Sequence, residues 1–178
     1  FRFTDPSPGL WTLNVFSVGE VDNGEYNIWL PITDFLDSEV YFLSPDPFTT
    51  MTEPSLANIA IGVSTYNAEN DSFFPESGRG FGTDGVISPS FAAPGVNVSL
   101  PWGSATGSGM AVAFAAGASA QFMQWAVVEG NDVNAETREL RNYLIRGATR
   151  DATLVYPSRT WGYGRLNMLG TFEALINI

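Results

Sequence analysis

The sequence predicts an α/β fold over residues 50–178, preceded by a β-rich segment over residues 1–49. Three observations carry this. Short apolar runs at Asn58–Val63 and Phe91–Val96 have the character of parallel strands buried on both faces. They interleave with two stretches of helical length, Ala111–Val128 and Glu136–Arg146. Ahead of them, Leu10–Val15 alternates apolar and polar side chains and Glu25–Leu30 follows a similar pattern, the period of a half-buried strand. With 178 residues, 44% of them hydrophobic, the chain can build one sizeable core, or one domain and part of another. Thirteen Phe, six Tyr and five Trp rule out a disordered tail.

The elements follow in order. Leu10–Val15 and Glu25–Leu30 read as strands, joined through Asp22-Asn23-Gly24, where Asn-Gly accepts the positive φ angles of a tight turn. Val40–Leu43 reads as a third strand, closed by Ser44-Pro45-Asp46-Pro47. These strands suit an antiparallel jelly roll, although so few would not close one. Ser77-Gly78-Arg79-Gly80 and Asp84-Gly85 form loops, and Phe91–Val96 is a buried strand ending at a turn. Val98-Ser99-Leu100 and a Gly/Ser turn lead into the Ala111–Val128 helix. Glu136–Arg146 turns Leu140, Tyr143 and Leu144 inward, with Asn134 as its N-cap and Gly147 as its stop. Gly162-Tyr163-Gly164-Arg165 is a turn, and Leu166–Ile176 a short closing helix.

Composition narrows the function. Nineteen acids against eight arginines and no lysine give a net charge of −11, so no basic footprint for nucleic acid or an anionic membrane is expected. The acidity serves solubility; nothing in the chain's chemistry accounts for the missing lysine. The absence of cysteine removes disulfides and thiolate metal sites, and the absence of histidine removes imidazole sites. An all-oxygen calcium site is the one metal site left open, and no residues can be assigned to it, so no cofactor is expected. The Ala111–Val128 run carries Gly117, Ser119, Gln121 and Gln124 and reads as a core helix rather than a membrane span. The chain opens at Phe1 without a signal-peptide pattern and reads as a piece of something longer.

Thr106-Gly107-Ser108-Gly109-Met110-Ala111 draws attention as a site. A small-residue turn feeding a helix presents backbone N–H groups and a short side chain, which suits an oxyanion and a nucleophile. A serine there needs a base, usually histidine, to take its proton. This chain has none. The plainer reading makes Ser108 a helix cap or a buried hydroxyl. By the same reasoning Asp84 is a turn residue, and Phe122, Met123 and Trp125 belong to the core. Glu136 and Glu139 form a solvated helix face. Trp102, beside Gly103, either lines a substrate groove or is ordinary surface.

The ordered set of motifs from about residue 53 to 173 resembles the subtilisin-like serine peptidases, the subtilases. Asn58–Val63 is similar to the strand after the family's oxyanion asparagine. Ser77-Gly78-Arg79-Gly80, Asp84-Gly85 and Pro89 resemble the loop leading to Ala92-Ala93-Pro94-Gly95-Val96. Thr106–Ala111 with Ala116-Gly117 resembles the nucleophile motif Gly-Thr-Ser-Met-Ala and its helix. Gly162-Tyr163-Gly164-Arg165-Leu166-Asn167 resembles the closing Gly-Tyr-Gly-x-x-Asn element. The β segment before residue 50, with Trp161–Phe172, is similar to the clostridial germination-protease (Csp-type) branch, which carries a jelly-roll insertion. The resemblance implies the C-terminal part of a parallel-sheet, three-layer subtilisin-like domain.

Departures from the family pattern shape the functional expectation. Aligned on Gly107 and Met110, the family's Thr-Ser pair is Ser108-Gly109, so glycine holds the nucleophile position. Glycine has no side-chain oxygen, and acyl transfer there is impossible. Val112-Ala113-Phe114 stands where the family usually has Pro-His. The resemblance places the catalytic aspartate, histidine and oxyanion asparagine upstream of Phe1. It implies a catalytically silent pseudoprotease acting as a binding or signalling scaffold, with Thr106, Gly107, Met110 and Trp102 at a substrate cleft. The alternative is an active endopeptidase whose remaining triad comes from an upstream segment, with Ser108 as substitute nucleophile. One residue along a helix rotates a side chain by about 100°, so a base set for position 109 would miss Ser108. Expected partners are the protein's own N-terminal subtilase segment or an active sibling protease, and a peptide or protein ligand. An extracytoplasmic or spore-associated setting would follow from the resemblance. Residues 53–178 are expected to need complementary strands from elsewhere, because an open parallel half-sheet exposes an apolar edge.

Overall fold

The computed structural model describes residues 4, 6–32, 35–37 and 39–176, and the chain divides into two compact units, Phe1–Pro45 and Asp46–Ile178.

In the first unit the described residues form no strand, and Leu10, Trp11, Tyr26, Ile28, Trp29, Tyr41 and Phe42 are all exposed. The strands expected at Leu10–Val15, Glu25–Leu30 and Val40–Leu43 are therefore absent. Alternation gives a strand an apolar face, but an isolated ribbon with nothing against that face is marginal in water. The turn chemistry survives without the strands. The Asn23 side-chain oxygen accepts the Glu25 N–H at 3.2 Å, a local turn that does not need a hairpin.

The second unit is the α/β body. Strand β1 (Val63–Asn67) lies at the centre of a three-stranded sheet, between β2 (Ser72–Phe73, antiparallel) and β3 (Phe91–Pro94, parallel). The Asn58–Val63 run was expected to be the strand itself. Instead the chain turns at residues 58–59, runs on without regular structure to residue 62, and pairs from Val63, opposite Phe91. Gly62 marks the reason: a Cβ there would lie 2.2 Å from the Ser88 hydroxyl, so backbone and loop are already in contact before the strand begins. The far edge of β3 is closed by the predicted turn, through bridges from Phe91 to Gly162 and from Ala92 to Arg165. Gly162 sits at φ 56° with carbonyl oxygens of residues 89 and 90 where a Cβ would be, so only glycine fits. A separate hairpin pairs β4 (Val98–Leu100) with β5 (Gly103–Ala105).

Helix α1 (Ser108–Met123) continues into a π-helical turn at Gln124–Val128. Alanine, the best helix former, supplies its length. Ala111, Ala115, Ala118, Phe122 and Ala126 recur every three or four residues and are buried. The small residues of that stripe let the helix lie close on β1 and β3. The rest of the helix is not the buried core element expected. Val112 is 54% and Phe114 45% exposed, and Val127 and Val128 are also exposed. By length and composition Ser108–Val128 could cross a membrane.

Helix α2 (Thr137–Gly147) begins at Glu136, not at Asn134. Glu136 and Glu139 close a reciprocal capping box, with the Glu139 carboxylate accepting the Glu136 N–H at 3.1 Å. These two acids, expected only to face solvent, thus complete the helix start. Leu140 and Leu144 are buried, and Tyr143 stacks on Phe122 with ring centres 5.5 Å apart. Gly147 ends the helix for a reason other than a left-handed cap. A Cβ on it would lie 2.2 Å from the Thr171 nitrogen of α3 (Met168–Ile176), so α2 and α3 meet backbone to backbone. Phe91, Phe122, Leu140 and Leu144 join the sheet and α1 and α2 in one core, and Trp125 meets Phe172 of α3 edge to face at 6.3 Å.

Candidate functional site at the start of the central helix

The sheet places the N-terminus of α1 through a relay of backbone hydrogen bonds. The Gly95 N–H donates to the Tyr66 carbonyl at the end of β1, at 3.0 Å. The Gly107 N–H donates to the Gly95 carbonyl at 2.8 Å, and the Met110 N–H to the Gly107 carbonyl at 3.0 Å. Gly95 must be small, since a Cβ would meet the Thr65 methyl at 2.5 Å and the Gly107 oxygen at 2.9 Å. Gly107, with φ 150° and ψ 164°, is the N-cap and contributes no side chain. A second clamp spans the ends of the β4–β5 hairpin, where the Thr106 hydroxyl accepts the Asn97 N–H at 2.9 Å. Asn97 adopts φ 51°, a conformation asparagine tolerates better than most residues.

Thr106, Gly107, Ser108, Gly109 and Met110 are thus brought together in one turn. Ser108 is the first helical residue and is exposed, with no hydrogen bond to its hydroxyl among the described residues. It is neither the cap nor the buried hydroxyl that the plainer reading expected: capping needs the residue before the helix, and Gly107 occupies that place. Gly109 is exposed, and a Cβ added to it meets nothing within 4 Å. The turn therefore offers open space at residue 109 and supplies no side chain there. The first turn of the helix carries no acidic residue and no side-chain cap.

Met110 lines an open apolar groove of about 520 Å³ with Val98, Leu100, Ala113, Phe114 and Leu166. Trp102 lies elsewhere, at the tip of the β4–β5 hairpin and 82% exposed. Asp84 is a turn residue, its carboxylate accepting the Val86 N–H at 3.2 Å. No cluster of three acidic side chains that could hold a metal exists among the described residues.

Behind the relay, Tyr66 is 8% exposed. Burial pushes its phenol above the ordinary value, the Arg165 guanidinium opposes this, and Asp71 adds to it. Arg165 pairs with Asp71 and lies 6.0 Å from the Tyr66 ring, while Trp161 packs on Tyr66 at 5.6 Å. The Thr65 hydroxyl, next along β1 and on its other face, is fully buried with no hydrogen-bond partner among the described residues. Gly95 and Asn97 were missed as supports of the site. The left-handed preference of an asparagine between two valines was the available signal.

The family model for subtilases matches residues 7–164. The chain belongs to the subtilase family. It resembles the Csp-type branch: the CspB protease of Clostridium perfringens superposes with a TM-score of 0.74 at 29% identity, over 79% of this chain and 32% of that one. Two structures of PatA, the patellamide maturation protease and an S218A mutant of its protease domain, superpose with TM-scores of 0.57 and 0.58. Both are 19% identical over 74% of this chain and share the fold. The chain spans about a third of the CspB chain and less than half of either PatA chain. No curated protein matches the sequence significantly.

Proposed function

We propose that this chain is the C-terminal part of a subtilase domain that binds without cleaving: a pseudoprotease segment serving as a scaffold. The observation that carries the reading is Gly109, exposed at the second position of α1 in a chain with no histidine. Residue 109 has no side-chain oxygen to attack a carbonyl, and these 178 residues supply no imidazole of their own. The competing reading, an endopeptidase acting through Ser108, draws support from that hydroxyl being exposed and unbonded. Ser108 still points about 100° around the helix from residue 109.

The partner in this reading is the remainder of a subtilase fold, as the protein's own N-terminal segment or an active sibling. The exposed apolar side of α1, together with the one-third coverage of CspB, supports it. We read Ser108–Val128 accordingly as a helix completed by protein, since one face is already seated on the sheet. Residues 1–49 would be a part of the jelly-roll insertion whose strands form once their partners are present. The test is labelling with a fluorophosphonate probe, alone and with a segment carrying the family's aspartate and histidine. No labelling in either case is expected. Stoichiometric labelling of Ser108 would overturn the reading.

A further inference from the structure

A second cavity, of about 560 Å³, lies at the other end of α1, where Met123 meets the start of α2. At 1.5 Å per residue it is about 22 Å along the axis from the Ser108–Gly109 turn. Ile59, Met123 and Ala135 supply apolar surface, and Arg138, Arg141 and Asn142 supply donors. Arg141 is half-buried and held in place: Nε donates to the Ser90 hydroxyl and Nη2 to the Ile87 carbonyl, both at 3.0 Å. No carboxylate pairs with Arg141 or Arg138 among the described residues, in a chain with nineteen acids. A partly desolvated guanidinium without a counter-charge is costly, and its free edge suits a planar carboxylate. Glu136 also lines the cavity, but its carboxylate is engaged in the capping box. That box engages the backbone N–H groups of Glu136 and Glu139, and the charged donors facing the cavity are the two arginine side chains.

We propose that this cavity binds a carboxylate bearing an apolar substituent, as at the end of a peptide with an apolar last residue. The carboxylate meets Arg141 and Arg138, and the apolar group lies on Ile59 and Met123. The site uses none of the residues of the Ser108–Gly109 turn and stands independently of whether that turn is catalytic.

The test is titration of the 178-residue chain with N-acetyl-L-leucine and, separately, its amide, followed by amide-resolved NMR. The acid is expected to shift Arg138, Asn142 and Ile59 and to bind at least tenfold more tightly than the amide. Arg138→Met, at an exposed position, should weaken the acid at least fivefold with an unchanged melting temperature. Arg141→Met also removes the bonds to Ser90 and Ile87, so the Arg138 variant carries the decision if it fails to fold. Equal affinity for acid and amide, no binding of the acid, or shifts confined to other surfaces would each overturn the proposal.

Discussion

Glycine plays opposite parts at Gly109 and Gly147. At Gly109 a Cβ would enter open space, so Gly109→Ser costs nothing sterically and slightly favours the helix. We expect this variant to keep the wild-type melting temperature or raise it, and to show no peptide turnover in the absence of another chain. A thermal melt and a fluorogenic peptide assay check both. At Gly147 the same extra carbon would sit 2.2 Å from the α3 backbone. Backbone cannot move aside as a side-chain tip can, so Gly147→Ala should destabilise by about 1–3 kcal/mol in chemical denaturation. Tyr66 gives a pH prediction. Its phenol is raised above 10.0, chiefly by burial, so the folded state favours the neutral form. The associated stability is fully present below the ordinary tyrosine value and is lost as pH rises through the raised one. Absorbance at the phenolate wavelength should show one late-titrating tyrosine that disappears in Tyr66→Phe, and alkaline unfolding should follow it.

Elements differ in how much of their basis is local. Helix α2 carries its own start signal in Glu136 and Glu139 and its own inward face in Leu140 and Leu144. Glu139→Ala should cost about 1 kcal/mol through loss of the capping box, measured by urea denaturation. Residues 10–15, 25–30 and 40–43 also carry a pattern, but a strand's hydrogen bonds lie on a neighbour and not within the segment. Their alternation was legible and their structure was not, because no partner strand pairs with them. Strand β1 was misplaced for a related reason. The apolar run marks where the chain is buried, while the residues opposite Phe91–Pro94 decide where it pairs.

At the scale of the molecule, α1 is apolar around its circumference and covered along one stripe. We expect the 178-residue chain to bind a hydrophobic dye or self-associate, and both effects to fall in Val112→Asp/Phe114→Asp. Because those side chains are outside the core, the double variant should retain wild-type stability within about 0.5 kcal/mol. A monodisperse chain that binds no dye would argue against a docking face there.

The sequence by itself determined the family, the order of elements in residues 50–178, and the absence of a side chain at residue 109 and of histidine from these 178 residues. Those rest on residue identity: glycine at 109 has no side-chain oxygen in any fold, and a chain without histidine has no imidazole. Tertiary structure decided the rest. It showed that Gly95 and Gly147 are contact points, that Ser108 stands free in place of capping, and that Arg141 is fixed at a cavity wall. It also showed α1 half-uncovered and the first 49 residues without strands among those described. Each of these depends on what lies across a gap from a residue, and distance along the chain does not encode distance through space.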